Sequence, residues 1–158
     1  MSVDSDTFRA VLGRFATGIT IITGQDDKGV DHGMTVSAFS SVSLNPPLVL
    51  ACIDHAASMR DLLGTLTNIG INFLSEGQEA ISRRFSGKDI ERFDGLGYTR
   101  GSSGVALLDD ALAHLEARIV DRHEAGDHLI LIAQVEAAEA FSQRPLLYYR
   151  SGYAQLTR

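Results

Sequence analysis

Cysteine is nearly absent: Cys52 is the only one in 158 residues. That excludes an internal disulfide framework and a cysteine-rich zinc site. Positive charge is scarce as well, with 14 Lys and Arg against 20 Asp and Glu and a net charge of −6. Such a chain lacks the basic footprint of a nucleic-acid binder and the polybasic segment of a membrane anchor. Long hydrophobic runs are missing: a stretch such as Leu48 to Ile53 falls far short of the ~18 residues needed to span a bilayer. The segment Met1 to Thr7 carries Asp4 and Asp6 but no basic residue, unlike a secretory signal. No Walker A loop or Gly-x-Ser-x-Gly elbow occurs, and Gly95 to Arg100 lacks the third glycine of a dinucleotide fingerprint. The five histidines are scattered; His123 and His128 flank a turn with no cysteine or second acid to complete a metal set. These absences predict one globular domain over 1–158 in a reducing, cytoplasmic setting, with no nucleic-acid, membrane or metal partner.

What is present is an ordinary core-forming composition, 44% apolar. Phe8, Val11, Leu12 and Phe15 share one face of a first helix, with Ser5 or Asp6 to cap it and Gly18 to end it. Ile19–Thr23 is a β-branched run and reads as a strand, and Gly24 to Asp31 as a turn. Met34 to Leu44 reads as one extended segment bent near Ser40, and Leu48–Ile53 as a strand buried on both faces. Ser58 is placed to cap a short helix over Met59 to Leu66. Ile69 to Leu74 is a strand, and Ser75-Glu76-Gly77-Gln78 opens a helix toward Phe85 as a capping box. Ser86 to Gly104 is Gly- and Ser-rich and reads as a long loop, a place where function gathers. Val105 to Val120 fits a helix slightly better than two strands turning at Asp109-Asp110. Leu129 to Val135 is a strand, and Leu146–Tyr149 with Tyr153–Leu156 forms a hairpin about Ser151-Gly152. About seven strands and three helices, with strands adjacent rather than alternating with helices, predict a mainly β, antiparallel barrel with peripheral helices.

Two stretches suggest a binding site. In Gly33 to Pro47 the hydroxyls of Thr35 and Ser37 share a strand face, and Ser40, Ser41 and Ser43 extend the polar lining. Such a strand offers donors to a flat, acceptor-rich heterocycle; the same pattern describes an edge strand with a solvated face. Asp54 to Ser58 precedes a short helix, with small residues at Ala56 and Ala57, and free amides there suit a phosphate; a plain cap by Ser58 fits equally. Arg83 and Arg84 supply cations nearby, or simply a solvated helix face.

The Gly33 to Pro47 segment resembles the signature of the short-chain flavin reductases, the NAD(P)H:flavin reductase components of two-component flavin-dependent monooxygenases. Further motifs follow in order: Phe15 to Thr20, Ile71 to Gln78, Ser82-Arg83-Arg84-Phe85, Leu112 to Glu116, Gly126-Asp127-His128 and Pro145 to Arg150. The resemblance runs from Phe8 to Leu156. It implies an FMN-binding split β-barrel, antiparallel and Greek-key, with peripheral α-helices. It implies a homodimer that binds FMN or FAD, oxidises NADH or NADPH and supplies reduced flavin to a partner monooxygenase. By resemblance Met34, Thr35, Val36, Ser37, Ser40 and Ser41 contact the flavin ring and ribityl chain. Ala51, Cys52, Ile53, Asp54 and Ser58 hold its phosphate end, and Arg83 and Phe85 complete the pocket. His128 is the candidate catalytic residue, shaping the nicotinamide side with Tyr148, Tyr149 and Arg150; as a residue, His128 also fits a turn that bonds locally. The resemblance turns Val105 to Val120 into strands, against the local pattern. Asp110, Ala117 and Tyr98 depart from residues common in that family (Gly, Cys and Trp), and Asp110 leaves the turn geometry open.

The implied reaction asks little acid–base chemistry of the protein, because hydride passes between cofactors that the chain must stack and orient. Other readings of the residues are a non-enzymatic flavin sensor or carrier, a split-barrel oxidase of an amine phosphate, and a structural interaction domain.

Overall fold

The structure is a computed structural model that describes residues 2–88 and 91–157. Its centre is a seven-stranded sheet of β2 (Thr20–Gln25), β3 (Asp31–Val36), β4 (Phe39–Ser43), β5 (Leu48–Asp54), β6 (Asn68–Phe73), β9 (Ala113–Ala125) and β10 (His128–Ala140). The order is β3-β2-β6-β9-β10-β5-β4, with every neighbouring pair antiparallel. The two edge strands, β3 and β4, are consecutive in sequence, separated only by Ser37 and Ala38. A flat sheet would hold its edges about 29 Å apart, six spacings of ~4.8 Å. The three Cα steps from Val36 to Phe39 reach at most about 11 Å. The sheet therefore has to roll until its edges meet. No ladder joins β3 to β4, so the barrel keeps a seam.

The rolled interior is one apolar cluster: Ile22, Val36, Val49, Ala51, Ile53, Ile69, Ile71, Leu129 and Leu131 from the strands, plugged by Met59 and by Leu63 of α2 (Arg60–Leu63). Outside the barrel a second cluster of Ile19, Ile21, Leu74, Phe85, Leu108 and Leu146 lies beneath α3 (Glu79–Ser86). It is flanked by the pair β7 (Tyr98–Arg100) and β8 (Ala106–Leu108), and by a small sheet of β1 (Thr17–Gly18), β11 (Leu146–Tyr149) and β12 (Gly152–Gln155). Buried polar groups tie these layers together. The Asn72 amide donates to the Ile21 carbonyl and its oxygen accepts from the Leu108 amide at 2.8 Å, while Thr23 Oγ1 donates to the Ala106 carbonyl.

Several expectations need correction. Among the described residues twelve strands form, not about seven. The first helix is α1 (Ser5–Leu12), capped by Asp4, whose carboxylate accepts from the Thr7 amide; it ends at Gly13 rather than Gly18. Its apolar face is uncovered, with Phe8 and Val11 more than half exposed. Met34 to Leu44 is two strands, broken at Ser37-Ala38 rather than bent near Ser40. β5 alternates between buried and half-buried residues, because only one face looks into the barrel. Ser58 does not cap α2, whose N-cap is Met59 with no side-chain bond. The capping box does open its helix, through a short 3₁₀ turn, with Gln78 Oε1 accepting from the Ser75 amide at 2.9 Å. The long Ser86–Gly104 loop contains β7, and its residues 89 and 90 lie outside the described residues. The terminal hairpin turns on Arg150-Ser151, both at positive φ, one residue before the predicted pair.

Val105 to Val120 forms β8 and β9, so the helical pattern there misleads. Leu108 and Leu115 satisfy a helical spacing, yet the chain turns at Asp110, whose φ is 61°. Asp is one of the few side chains that tolerates this left-handed backbone. The Asp110 carbonyl is then fixed by a 2.7 Å bond from Ser75 Oγ. The turn open at the sequence level is therefore the glycine conformation held by an aspartate.

Two stability outcomes follow from these contacts. Asp110→Val should lower the urea-unfolding free energy by about 1–2 kcal/mol, the cost of a β-branched residue in the left-handed region, while Asp110→Gly should stay within about 0.5 kcal/mol; equal effects would remove the backbone argument. Asp31 of β3 is clamped by Arg100 of β7 through two 2.8 Å bonds and accepts from the Tyr98 hydroxyl. The Arg100 guanidinium holds the Asp31 carboxyl below the ordinary carboxylate range. A depressed carboxylate stabilises the fold fully above its unfolded value of about 3.9 and loses that contribution as pH falls through the lower folded value. Asp31→Asn should therefore cost about 1 kcal/mol at pH near 7 and progressively less below about pH 4. Denaturation midpoints of both proteins across pH check this, and a gap that widens in acid contradicts it.

Candidate active site

The seam of the barrel opens into a cleft of about 660 Å³. Gly33, Met34 and Thr35 of β3 form one wall, Ala56 to Met59 after β5 a second, and Phe85 to Lys88 with Arg92 and Phe93 a third. The strand can pass here only as glycine, because a Cβ on Gly33 would lie 2.7 Å from the Phe85 ring. Phe85 is fully buried and meets Phe93 edge-on at 5.1 Å, and Phe93 meets Tyr98 at 5.6 Å. The base of the cleft is thus aromatic.

The polar groups come from the backbone. The Gly33 carbonyl accepts from Arg92 Nη1 at 2.6 Å, so it faces away from β2. In an antiparallel strand the N–H and C=O of one residue point the same way, and direction alternates along the chain. Thr35 therefore presents its amide and carbonyl to the same free edge, while the Val36 carbonyl turns inward to accept from Thr20 Oγ1. The Thr35 hydroxyl donates to the Ser82 carbonyl at 2.7 Å, which pins β3 to α3. On the second wall Asp54 Oδ1 accepts from the Ala56 amide, the Asp54 carbonyl from Ala57 and the Ala57 carbonyl from Arg60. That turn leaves the amides of Ser58 and Met59 without a hydrogen-bond acceptor among the described residues. The side chains at positions 56 and 57 are methyl groups, which permit close approach.

The rim is cationic. Lys88 and Arg92 line it, with His32 beside them, and the neighbouring acid Asp31 is paired with Arg100. Arg92 also reaches the Gly87 carbonyl, so it ties the β3 edge to the end of α3. His32 Nε2 lies 2.9 Å from Asp26 Oδ2, and this bond holds the Asp26 carboxyl below its ordinary value. Among the described residues no group of three or more His, Cys, Asp or Glu could hold a metal ion.

Of the residues singled out from sequence, Met34, Thr35, Ser58 and Phe85 come together in the cleft. Val36, Ala51 and Ile53 are buried in the barrel, and none of them lines the cleft. Ser37, Ser40 and Ser41 are exposed along the seam, Ser40 Oγ donating to the Ser41 carbonyl. Cys52 is half-buried, and burial pushes its thiol up. Asp54 ends β5 opposite His128 of β10. His128 Nδ1 lies 2.7 Å from Asp127 Oδ1, and that bond holds the Asp127 carboxyl low. Arg83 does not line the cleft; it pairs with Glu79 and stacks over the Tyr153 ring at 4.7 Å. Tyr148 packs edge-on against Tyr153, Tyr149 is exposed, and Arg150 forms the β11–β12 turn. Sequence reasoning missed His32, Lys88, Arg92 and Phe93. The long Gly-rich loop carried the only signal for the last three, and nothing in it marked which side chains turn inward.

Residues 12–157 match the family model described as "Flavin reductase like domain". A flavin reductase of Pseudomonas putida is 36% identical over 153 residues, covering 96% of this chain and 90% of its own. An NADH-dependent flavin reductase of a Rhodococcus species is 39% identical, covering 94% and 84%. Among solved structures, the NADH:FAD oxidoreductase SgcE6 of Streptomyces globisporus, in complex with NAD and FAD fragments, superposes with a TM-score of 0.92 at 33% identity, over 99% of this chain and 97% of its own. The rolled antiparallel sheet with its unpaired seam is thus the split barrel of these reductases, and the chain belongs to the flavin reductase-like domain family.

Proposed function

We propose that this chain takes hydride from NADH or NADPH and passes it to FMN or FAD held at the seam, supplying reduced flavin to a partner monooxygenase. The observation that carries this reading is the cleft itself. Its aromatic base, its strand edge with an open Thr35 amide, its unpaired Ser58 and Met59 amides and its cationic rim match a flavin's flat ring, polar edge and phosphate tail. When bound, the flavin supplies the redox chemistry.

The protein's part is binding and orientation. Met34, Thr35 and Ser37, with Ser40 and Ser41, run along the ring side; Val36 and Ala51 to Ile53 fix the strands in the core, and Asp54 shapes the turn that carries Ser58. Ser58, helped by Lys88 and Arg92, takes the phosphate. Arg83 acts at one remove, by holding Tyr153, whose hydroxyl lies 2.8 Å from Ser82 Oγ. His128, fixed by Asp127, faces the nicotinamide, with Tyr148, Tyr149 and Arg150 as further candidates. No side chain has to move a proton for hydride transfer.

The exposed apolar residues Phe8, Val11 and Leu12 of α1, with Phe15 just after it, support a homodimer. A monooxygenase partner accords with the reductase subunit HsaB of Rhodococcus jostii, 36% identical over 96% of this chain. No helix among the described residues is long and apolar enough to cross a membrane, and a cytoplasmic setting accords with the lone Cys52.

The purified protein should consume NADH or NADPH in air at a rate that rises with added FMN or FAD. Flavin binding without consumption of either nicotinamide would turn the reading toward a sensor or carrier. His128→Ala should raise the KM for the nicotinamide by about 3- to 10-fold and leave flavin affinity nearly unchanged; an unaltered nicotinamide KM would remove His128 from this role.

A further inference from the structure

β9 and β10 form a long hairpin whose tip, Glu124 to His128, leans on the loop that follows β5. Three contacts hold it there. Glu124 Oε2 lies 2.6 Å from His55 Nε2, Glu124 Oε1 accepts from Arg60 Nη2 at 2.7 Å, and the Asp127 carbonyl accepts from the His55 amide at 2.9 Å. His55 and Arg60 bracket Ala56, Ala57, Ser58 and Met59, the four residues of the cleft's second wall. One carboxylate therefore grips both ends of that wall. The same tip carries His128, paired to Asp54 across the sheet and fixed by Asp127.

We infer that Glu124 is a positioning residue for the hydride-transfer site: it sets the conformation of the Ala56–Met59 wall and links it mechanically to the hairpin that carries His128. This rests on the reading above, in which that wall receives the flavin and His128 the nicotinamide. Glu124 touches neither ligand. Its side chain is well exposed, at 61%, and a lone exposed ion pair contributes little. The effect here comes from placement. Two contacts from one rigid tip restrain a turn whose free amides must be aimed to within a fraction of an ångström. The loop's own bonds, from Ala56 and Ala57 to Asp54 and from Arg60 to Ala57, shape the turn from within; Glu124 anchors its two ends from outside, through His55 and Arg60.

The test uses the full chain and three variants. Glu124→Ala should raise the flavin KM and the directly measured flavin Kd about 5-fold, with kcat at saturating flavin and the unfolding midpoint little changed. Glu124→Gln keeps an oxygen for Arg60 and an amide for His55, and should stay within about 2-fold of wild type. Glu136→Ala breaks a pair with Arg118 on the same two strands and should leave flavin affinity unchanged. Without any flavin present, amide exchange at Ala56 and Ala57 should quicken about 10-fold in Glu124→Ala. Unchanged exchange together with unchanged flavin Kd in Glu124→Ala overturns the inference, as does an equal loss in Glu136→Ala. A wild-type protein that binds no flavin overturns the functional reading instead, and the exchange measurement still separates that failure from a Glu124 without influence on the loop.

Discussion

Two residues, Ser37 and Ala38, constrain this molecule more than any single contact does. They join the opposite edges of a seven-stranded sheet, and so short a link leaves the sheet no flat arrangement. Rolling turns one face of each strand into the interior; the outer face of β5 is only half-covered, so β5 alternates instead of reading as a fully buried run, whereas β2 and β6, covered from outside as well, are buried on both faces. The seam is the second consequence. β3 and β4 are close but unladdered, so β3 keeps a free edge of backbone donors and acceptors. Such an edge is a liability unless something covers it. Here Arg92 covers Gly33, and α3 is pinned beside Thr35. What remains open is a short polar stretch above an aromatic base, in a cleft large enough for a cofactor.

The site is thus a by-product of barrel closure, refined by a few side chains. Gly33 lets the strand lie directly on the Phe85 ring. The cations, Lys88 and Arg92, come from the loop after α3 rather than from the helix itself. The second wall is a tight turn whose early carbonyls are satisfied internally and whose later amides point outward. None of this demands a tuned acid or base, which agrees with a reaction whose electrons move between bound cofactors.

Much of the architecture was legible in the sequence because periodicity reports burial. The β-branched runs of β2 and β6 and the Ser75–Gln78 box each carry a local physical signal. Where two local signals agree with each other and disagree with the fold, the sequence misleads. Leu108, Leu112, Leu115 and Ile119 satisfy a helix as well as two strands, and the deciding fact is the backbone at Asp110, fixed by Ser75 from a distant part of the chain. The first helix shows the opposite failure: its apolar stripe is real but stays more than half exposed. In the site, Met34, Thr35 and Phe85 lie in motifs of strand and helix and Ser58 in the short turn between β5 and α2, all stretches with a local signal. His32, Lys88, Arg92 and Phe93 were not readable, because whether a loop or edge residue turns toward a cleft depends on long-range packing. Adjacent Arg83 and Arg84 drew attention as cations, but Tyr153 and the carbonyls of Glu91 and Asp94 claim them.

Everything in this reading turns on whether the seam cleft brings a flavin and a nicotinamide together for direct hydride transfer. The most direct measurement is an anaerobic titration of the flavin-loaded protein with NADH, following the flavin absorbance. Bleaching should be complete at one equivalent of NADH, or of NADPH, per flavin. A flavin that stays bound and oxidised under excess NADH and NADPH would contradict this reading.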